Sequence, residues 1–205
     1  MPRPPPQDLS PESLLAAYAS GAFPMADPGN GEVAFYTCDP RCILPLDAFH
    51  VPHVTRRLVR RGAFTQRVDG AFGEVIRRCS RDRGGENRSW ISPELIIAYE
   101  RLHALGVAHS VEAWREGRLV GGLYGVALGG AFFGESMFSL VEEGGSEAGK
   151  VCLVWLVERL RRCGFTLLDS QYTNQHVERF GAVEIPAAEY LRRLEAAIRM
   201  PARWA

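Results

Sequence analysis

Three short stretches set acid, amide or aromatic side chains where chemistry could occur. In GGAFFGESMF (129–138), Glu135 ends an apolar run among glycines and phenylalanines. A carboxylate in such company needs a partner or a task, because desolvating its charge is costly. Gly134 before it would let a ligand or another backbone approach. The plainer alternative is a strand-end acid facing solvent. In LLDSQ (167–171), Asp169 and Gln171 stand two residues apart, which in a strand puts both on one face. A charged acceptor and an amide at a strand's carboxyl end suit ligand contact. Capping of the following TNQH loop would use them equally well. In RSWISPE (88–94), Trp90 sits beside Arg88 just before a helix start. Its plane could carry a base or ribose, or pack as core.

The elements that must position these residues follow from pattern. Ser10-Pro11-Glu12 opens a helix with Leu14, Leu15 and Tyr18 on its apolar face, and Gly21 stops it. Short extended stretches are predicted at Val33–Tyr36 and Cys42–Pro45. From Val54 to Cys79 the pattern is mostly helical and basic. Ser92-Pro93-Glu94 repeats the capping signature and opens an amphipathic helix that Gly106 ends. His109–Trp114, Leu119–Ala127 and Ala131–Ser136 read as antiparallel hairpins. An acidic, Gly-rich loop (142–147) precedes a helix over Ala148–Arg162. A short buried strand follows at Phe165–Ser170, and a last helix over Ala187–Met200. The order is α+β, with a small N-terminal α/β domain over 1–48 and a larger domain over 49–205.

The chain's formal charge is zero, yet its arginines are unevenly spread. Residues 56–88 hold ten arginines against four acids, a local charge of +6 that the remainder offsets. Such asymmetry fits a phosphate-contacting surface, and equally a solvated helix face. Five scattered cysteines fit reduced thiols better than a disulfide framework. Cys38, Cys42, His50 and His53 have no common zinc-module spacing, so no metal is expected. No P-loop or dinucleotide fingerprint occurs, and no cofactor is expected. With no apolar run near the ~18–20 residues that span a bilayer and no signal core at the start, a cytoplasmic protein without a membrane partner is expected.

Longer segments resemble one family. Tyr18, Gly21, Phe23, Pro24 and Met25 follow the pattern Y-x-x-G-x-F-P-M, and DPR (39–41) comes next. From Trp90 to Pro186 the chain carries WISPE, AYERLHALGVAHSVEAW, LVGGLYGVALGGAFFGESMFS, LLDSQ and FGAVEIP. These resemble the bacterial leucyl/phenylalanyl-tRNA–protein transferases, in their order and spacing. The resemblance implies a GNAT-like acyltransferase domain with a mixed, mostly antiparallel sheet. It implies that the α-amine of an acceptor protein beginning with Arg or Lys attacks the ester joining Leu or Phe (or Met) to tRNA. The product would enter N-degron proteolysis. A monomer using neither ATP nor metal is expected.

The resemblance also implies roles. Asp169 and Gln171 would orient the amine, with Glu135 holding the substrate amine or ribose. Leu123, Phe132, Met137, Leu153, Leu156, Leu160 and Leu168 would line the aminoacyl pocket. Trp90 and Tyr36 would meet the terminal adenosine, although relatives usually carry Trp where Tyr36 stands. Arg77, Arg78, Arg81 and Arg83 would contact tRNA phosphates. Leu156 and Leu160 replace phenylalanines of the relatives. The alternative within the fold is an acyl-CoA-dependent N-acyltransferase, which needs a Q/R-x-x-G-x-G/A loop that residues 142–147 lack. A tRNA-binding module without catalysis is the alternative outside it.

Overall fold

The computed structural model describes residues 7–81 and 89–205. Helix α1 (Pro11–Ala19) starts where expected. The Ser10 hydroxyl accepts from the Ser13 N–H at 3.3 Å, and Gly21, at φ +83°, turns the chain away. Strands β1 (Phe23–Ala26) and β2 (Val33–Tyr36) form a two-stranded antiparallel ribbon. Strand β3 (Arg41–Ile43) then enters the main sheet, so the end of the expected 1–48 segment is shared with the larger unit.

Residues 53–79 form α2 (His53–Arg60), β4 (Thr65–Val68) and α3 (Phe72–Cys79), which corrects the expectation of a mostly helical stretch. Gly62, at φ +59°, follows the end of α2, and β4 pairs antiparallel with β5 (Ala108–Arg115). That pairing is a tertiary gain which local pattern does not announce. Helix α4 (Pro93–Ala104) opens on Ser92, whose hydroxyl accepts from the Leu95 N–H. Strands β5, β6 (Arg118–Leu128) and β7 (Ala131–Ser139) are successive antiparallel hairpins. A 3₁₀ turn at Val141–Glu143 leads into α5 (Ala148–Arg162) and β8 (Leu167–Gln171). After these come α6 (Gln175–Glu178), β9 (Val183–Ile185) and α7 (Ala187–Ile198).

The main sheet has the order β4-β5-β6-β7-β8-β3-β9. Every pair is antiparallel except β7–β8, which α5 joins as a crossover. Helices α1, α3, α4 and α7 bury Leu14, Tyr18, Val75, Ile76, Leu95, Tyr99 and Leu194 on one face, with Tyr124 and Phe133 of the sheet. Helix α5 covers the other face, setting Val151, Leu153, Leu156 and Leu160 against Val111, Leu123, Phe132 and Leu168. A Cβ on Gly121 would lie 2.4 Å from the Ala148 Cβ, so that glycine lets the first turn of α5 rest on β6.

One pairing creates the site. Strands β7 and β8 run together only from Ala131↔Leu167 to Phe133↔Asp169. Beyond that, β7 continues on β6 alone. There Tyr124 faces Ser136 and Gly125 faces Gly134, leaving Glu135 as the extra residue of a β-bulge. Bulges of this kind re-aim a side chain. Gln171 closes β8 in the left-handed region at φ +56°, a conformation that costs a non-glycine residue energy and needs support from its surroundings.

Candidate active site

A cavity of about 250 Å³ opens where β7 and β8 part. Its apolar wall comes from Leu44, Leu123, Met137, Leu153, Leu156, Leu168 and Val177. Gly134, Glu135, Ser136, Asp169 and Ser170 line it too, and Trp90, Tyr124, Asn174 and His176 complete the lining. Of the seven residues expected to line an aminoacyl pocket, Leu123, Met137, Leu153, Leu156 and Leu168 line this cavity. Phe132 and Leu160 lie behind the wall, fully buried in the α5-side core. Tyr36 is on β2, 37% exposed and 6.5 Å from the Phe23 ring, and is not among the lining residues.

Glu135 is held by two tyrosines from the helical layer. The Tyr18 hydroxyl donates to Oε1 at 2.7 Å, and the Tyr99 hydroxyl donates to Oε2 at 3.1 Å. The two hydroxyls also touch each other at 2.5 Å. Burial pushes the Glu135 carboxyl up to about 7, against the two tyrosine hydrogen bonds, which favour its charged form. Burial and the neighbouring carboxylate push both tyrosines well above their ordinary range, so they remain protonated donors.

Asp169 is fully engaged. Oδ1 accepts from Arg41 Nε at 2.9 Å and from the Gln171 N–H at 3.0 Å. Oδ2 accepts from Arg41 Nη2 at 2.6 Å and from the Tyr190 hydroxyl at 2.7 Å. Both charged side chains are closed to solvent, 1% and 0% exposed. Arg41 also donates to the Gly21 carbonyl and lies between the Phe23 and Tyr190 rings, at 4.6 and 4.5 Å. With four donors on it, the carboxylate has no lone pair left for a substrate proton.

The Gln171 amide has two settings. With its nitrogen toward Glu135 it makes one long contact, at 3.5 Å. Turned over, the nitrogen donates to the Gly134 carbonyl at 2.9 Å and the Ser170 carbonyl at 3.1 Å. The second setting satisfies more groups. It faces the amide oxygen toward Glu135 and makes two acceptors side by side, a pair suited to a cationic N–H donor. Sequence reasoning missed Tyr18, Tyr99, Arg41, Tyr190 and Leu44 as parts of this arrangement. Tyr18 and Arg41 stand in the Y-x-x-G and DPR segments, but nothing local gave them a partner.

A second cavity, about 420 Å³, shares Met137 and His176 with the first. Arg78, Arg81 and Lys150 line it, with Ser139 and Ser146. Lys150 pairs with Glu147 at 2.5 Å, and Arg78 with Glu74 at 2.9 Å. Arg77 points elsewhere, pairing with Glu100 at 2.6 Å on the exposed surface. Arg83 lies outside the described residues. Among the described residues, no group of three or more His, Cys, Asp or Glu is placed to hold a metal ion. No described helix is long and apolar enough to cross a membrane.

A family model described as leucyl/phenylalanyl-tRNA protein transferase matches residues 43–195, and one for the N-terminal domain of the same family matches residues 7–39. A leucyl/phenylalanyl-tRNA–protein transferase from Salinibacter ruber is 52% identical over 199 residues, covering 97% of this chain and 84% of that relative. One from Rubrobacter xylanophilus is 55% identical over 193 residues, covering 94% and 96%. Among solved structures, L-PGS from Bacillus licheniformis matches at TM-score 0.50 and 11% identity, over 92% of this chain and 70% of that one. That likeness concerns the fold alone, an α+β arrangement around a mostly antiparallel sheet.

Proposed function

This chain belongs to the leucyl/phenylalanyl-tRNA–protein transferase family and transfers an aminoacyl group from tRNA to a protein N-terminus, and on that premise we propose how its cavity does so. The leucine-lined wall takes the side chain of a leucyl, phenylalanyl or methionyl ester, whose burial is worth roughly 1.5–3 kcal/mol. Trp90 at the lining carries the terminal adenosine. Glu135 and the Gln171 oxygen accept hydrogen bonds from the amine brought to the ester. Asp169 is a positioning residue: it fixes the strained backbone of Gln171 and, with Arg41, keeps that amide in place. An activated ester gives way to an amide, so neither ATP nor a metal is needed.

Further parts of the reading concern partners. Arg78 and Arg81, with Arg77 and Arg83 nearby in sequence, read tRNA phosphates and not bases. The acceptor begins with Arg or Lys, and its new N-terminus marks it for N-degron proteolysis. The enzyme acts as a cytoplasmic monomer, with residues 1–48 as an N-terminal unit leaning on the transferase unit.

The observation that carries this reading is the apolar cavity lined by Glu135 and Asp169, with the Gln171 amide directly behind Glu135 and outside the lining. The test is incubation with leucyl-, phenylalanyl- and methionyl-tRNA and a peptide starting with Arg. Labelled peptide from the tRNA is the expected result. Labelling that requires an acyl-CoA instead would make it an N-acyltransferase of the same fold. Tight tRNA binding without transfer would reduce it to a binding module.

A further inference from the structure

The contacts among Tyr18, Tyr99 and Glu135 do not balance with an ionised carboxylate. Three oxygen–oxygen approaches, at 2.5, 2.7 and 3.1 Å, close a ring. Two phenols supply only two protons. A protonated Glu135 supplies the third, so that each of the three approaches holds one proton: each phenol donates once and accepts once, while one carboxyl oxygen donates and the other accepts. The Gln171 oxygen facing Glu135 adds a second argument, since a lone-pair acceptor is less unfavourable beside a neutral carboxyl than beside a carboxylate.

We propose that Glu135 is the general base of the transfer: neutral and closed into the ring with Tyr18 and Tyr99 in the empty site, it takes up the acceptor's proton once ionised. This rests on the aminoacyl-transfer reading. Of the groups that interact directly with Glu135, none competes for that role; His176 shares the cavity lining without being among them. Asp169 on β8 is occupied by four donors, and Arg41 on β3 by Asp169. Tyr124 on β6 is held protonated, pushed well above its ordinary range by burial. Gln171 does not titrate.

The step balances. The Glu135 carboxylate takes a proton from the acceptor α-ammonium, and the freed lone pair attacks the ester carbon. In the tetrahedral intermediate, Glu135 gives that proton to the departing ribose oxygen as the C–O bond breaks. It then takes a second proton from nitrogen, leaving an amide, a ribose hydroxyl and a neutral Glu135 that releases its proton to water. Tyr18 and Tyr99 are positioning residues that set how readily Glu135 ionises.

The experiment is the pH profile of kcat/KM for transfer from phenylalanyl-tRNA to an Arg-starting peptide. The base must be ionised, so activity rises with pH through neutrality. Tyr99→Phe removes a donor to the carboxylate, disfavours its charge and moves this limb to higher pH, and Tyr18→Phe does the same. The peptide's own ammonium titration is identical for all variants and cannot produce the shift. Glu135→Gln lowers transfer by roughly 100-fold or more at every pH. A limb that stays in place in both tyrosine variants overturns the inference, as does full activity in Glu135→Gln. Wild-type protein that transfers from no aminoacyl-tRNA overturns the parent reading along with it.

Discussion

Arg41 meets Asp169 as a parallel fork, each guanidinium nitrogen on its own carboxylate oxygen and both side chains shut away from water. Burying such a pair costs desolvation on both sides, and the planar bidentate match offsets it. Removing one member leaves the other charge uncompensated. Arg41→Met is expected to destabilise the fold by ~3–5 kcal/mol, read from the midpoint of a urea transition at constant slope. A change below ~1 kcal/mol would mean that the pair is not holding β3 to β8.

The same fork reaches chemistry through Gln171. Asp169→Asn retains most of the shape but loses charge, and should slow transfer by roughly 100-fold or more while tRNA affinity changes little. Separate measurement of kcat/KM and of tRNA binding decides the matter. Parallel losses in both would place Asp169 in tRNA binding.

Stability should carry a signature of Glu135. Its carboxyl is raised from 4.5 to about 7 in the folded chain, so between those values the folded state holds a proton that the unfolded state has released. Stability from this group therefore falls as pH rises from about 4.5 to about 7 and is level on either side. The difference between wild type and Glu135→Gln, followed by urea melts across that window, isolates the effect from other carboxylates. A difference that does not vary with pH would show that Glu135 titrates normally.

Pocket shape sets the choice of aminoacyl group only weakly. Leu156→Phe adds bulk to the wall and should lower kcat/KM for phenylalanyl-tRNA more than for leucyl-tRNA, by ~1–3 kcal/mol in their ratio. Leu160→Phe, which acts on a residue behind the wall, should shift the ratio less. Competition between the two aminoacyl-tRNAs for one peptide measures both.

Arg78 and Arg81 offer a salt test. Neutralising either should weaken binding to all tRNAs alike and reduce the slope of log affinity against log salt by about 1. Selective loss for some tRNA sequences would point to base contacts.

Local signals were the legible part of this fold. Ser10-Pro11 and Ser92-Pro93 each cap a helix with their own side chains, and α5 spans Ala148–Arg162 as its apolar spacing requires. What stayed hidden depends on distant pairing. Strand β4 exists because β5 accepts it, although its own residues are mostly exposed and basic in setting. Tyr18 reaches Glu135 across 117 positions, and no periodicity encodes such a meeting. The bulge that makes Glu135 the odd residue of β7 also leaves no mark in composition, because it is fixed by how β6 and β7 slide past each other.

The placement of β3 between β8 and β9 has a consequence for synthesis. Arg41 and Asp169 are 128 positions apart, so Arg41 emerges from the ribosome long before its carboxylate. A half-made chain holds Trp90 of the cavity lining and much of the helical layer but no seat for Gln171. An unfinished polypeptide is thus unable to assemble this cavity, and catalytic competence arrives only when nearly the whole length has been translated.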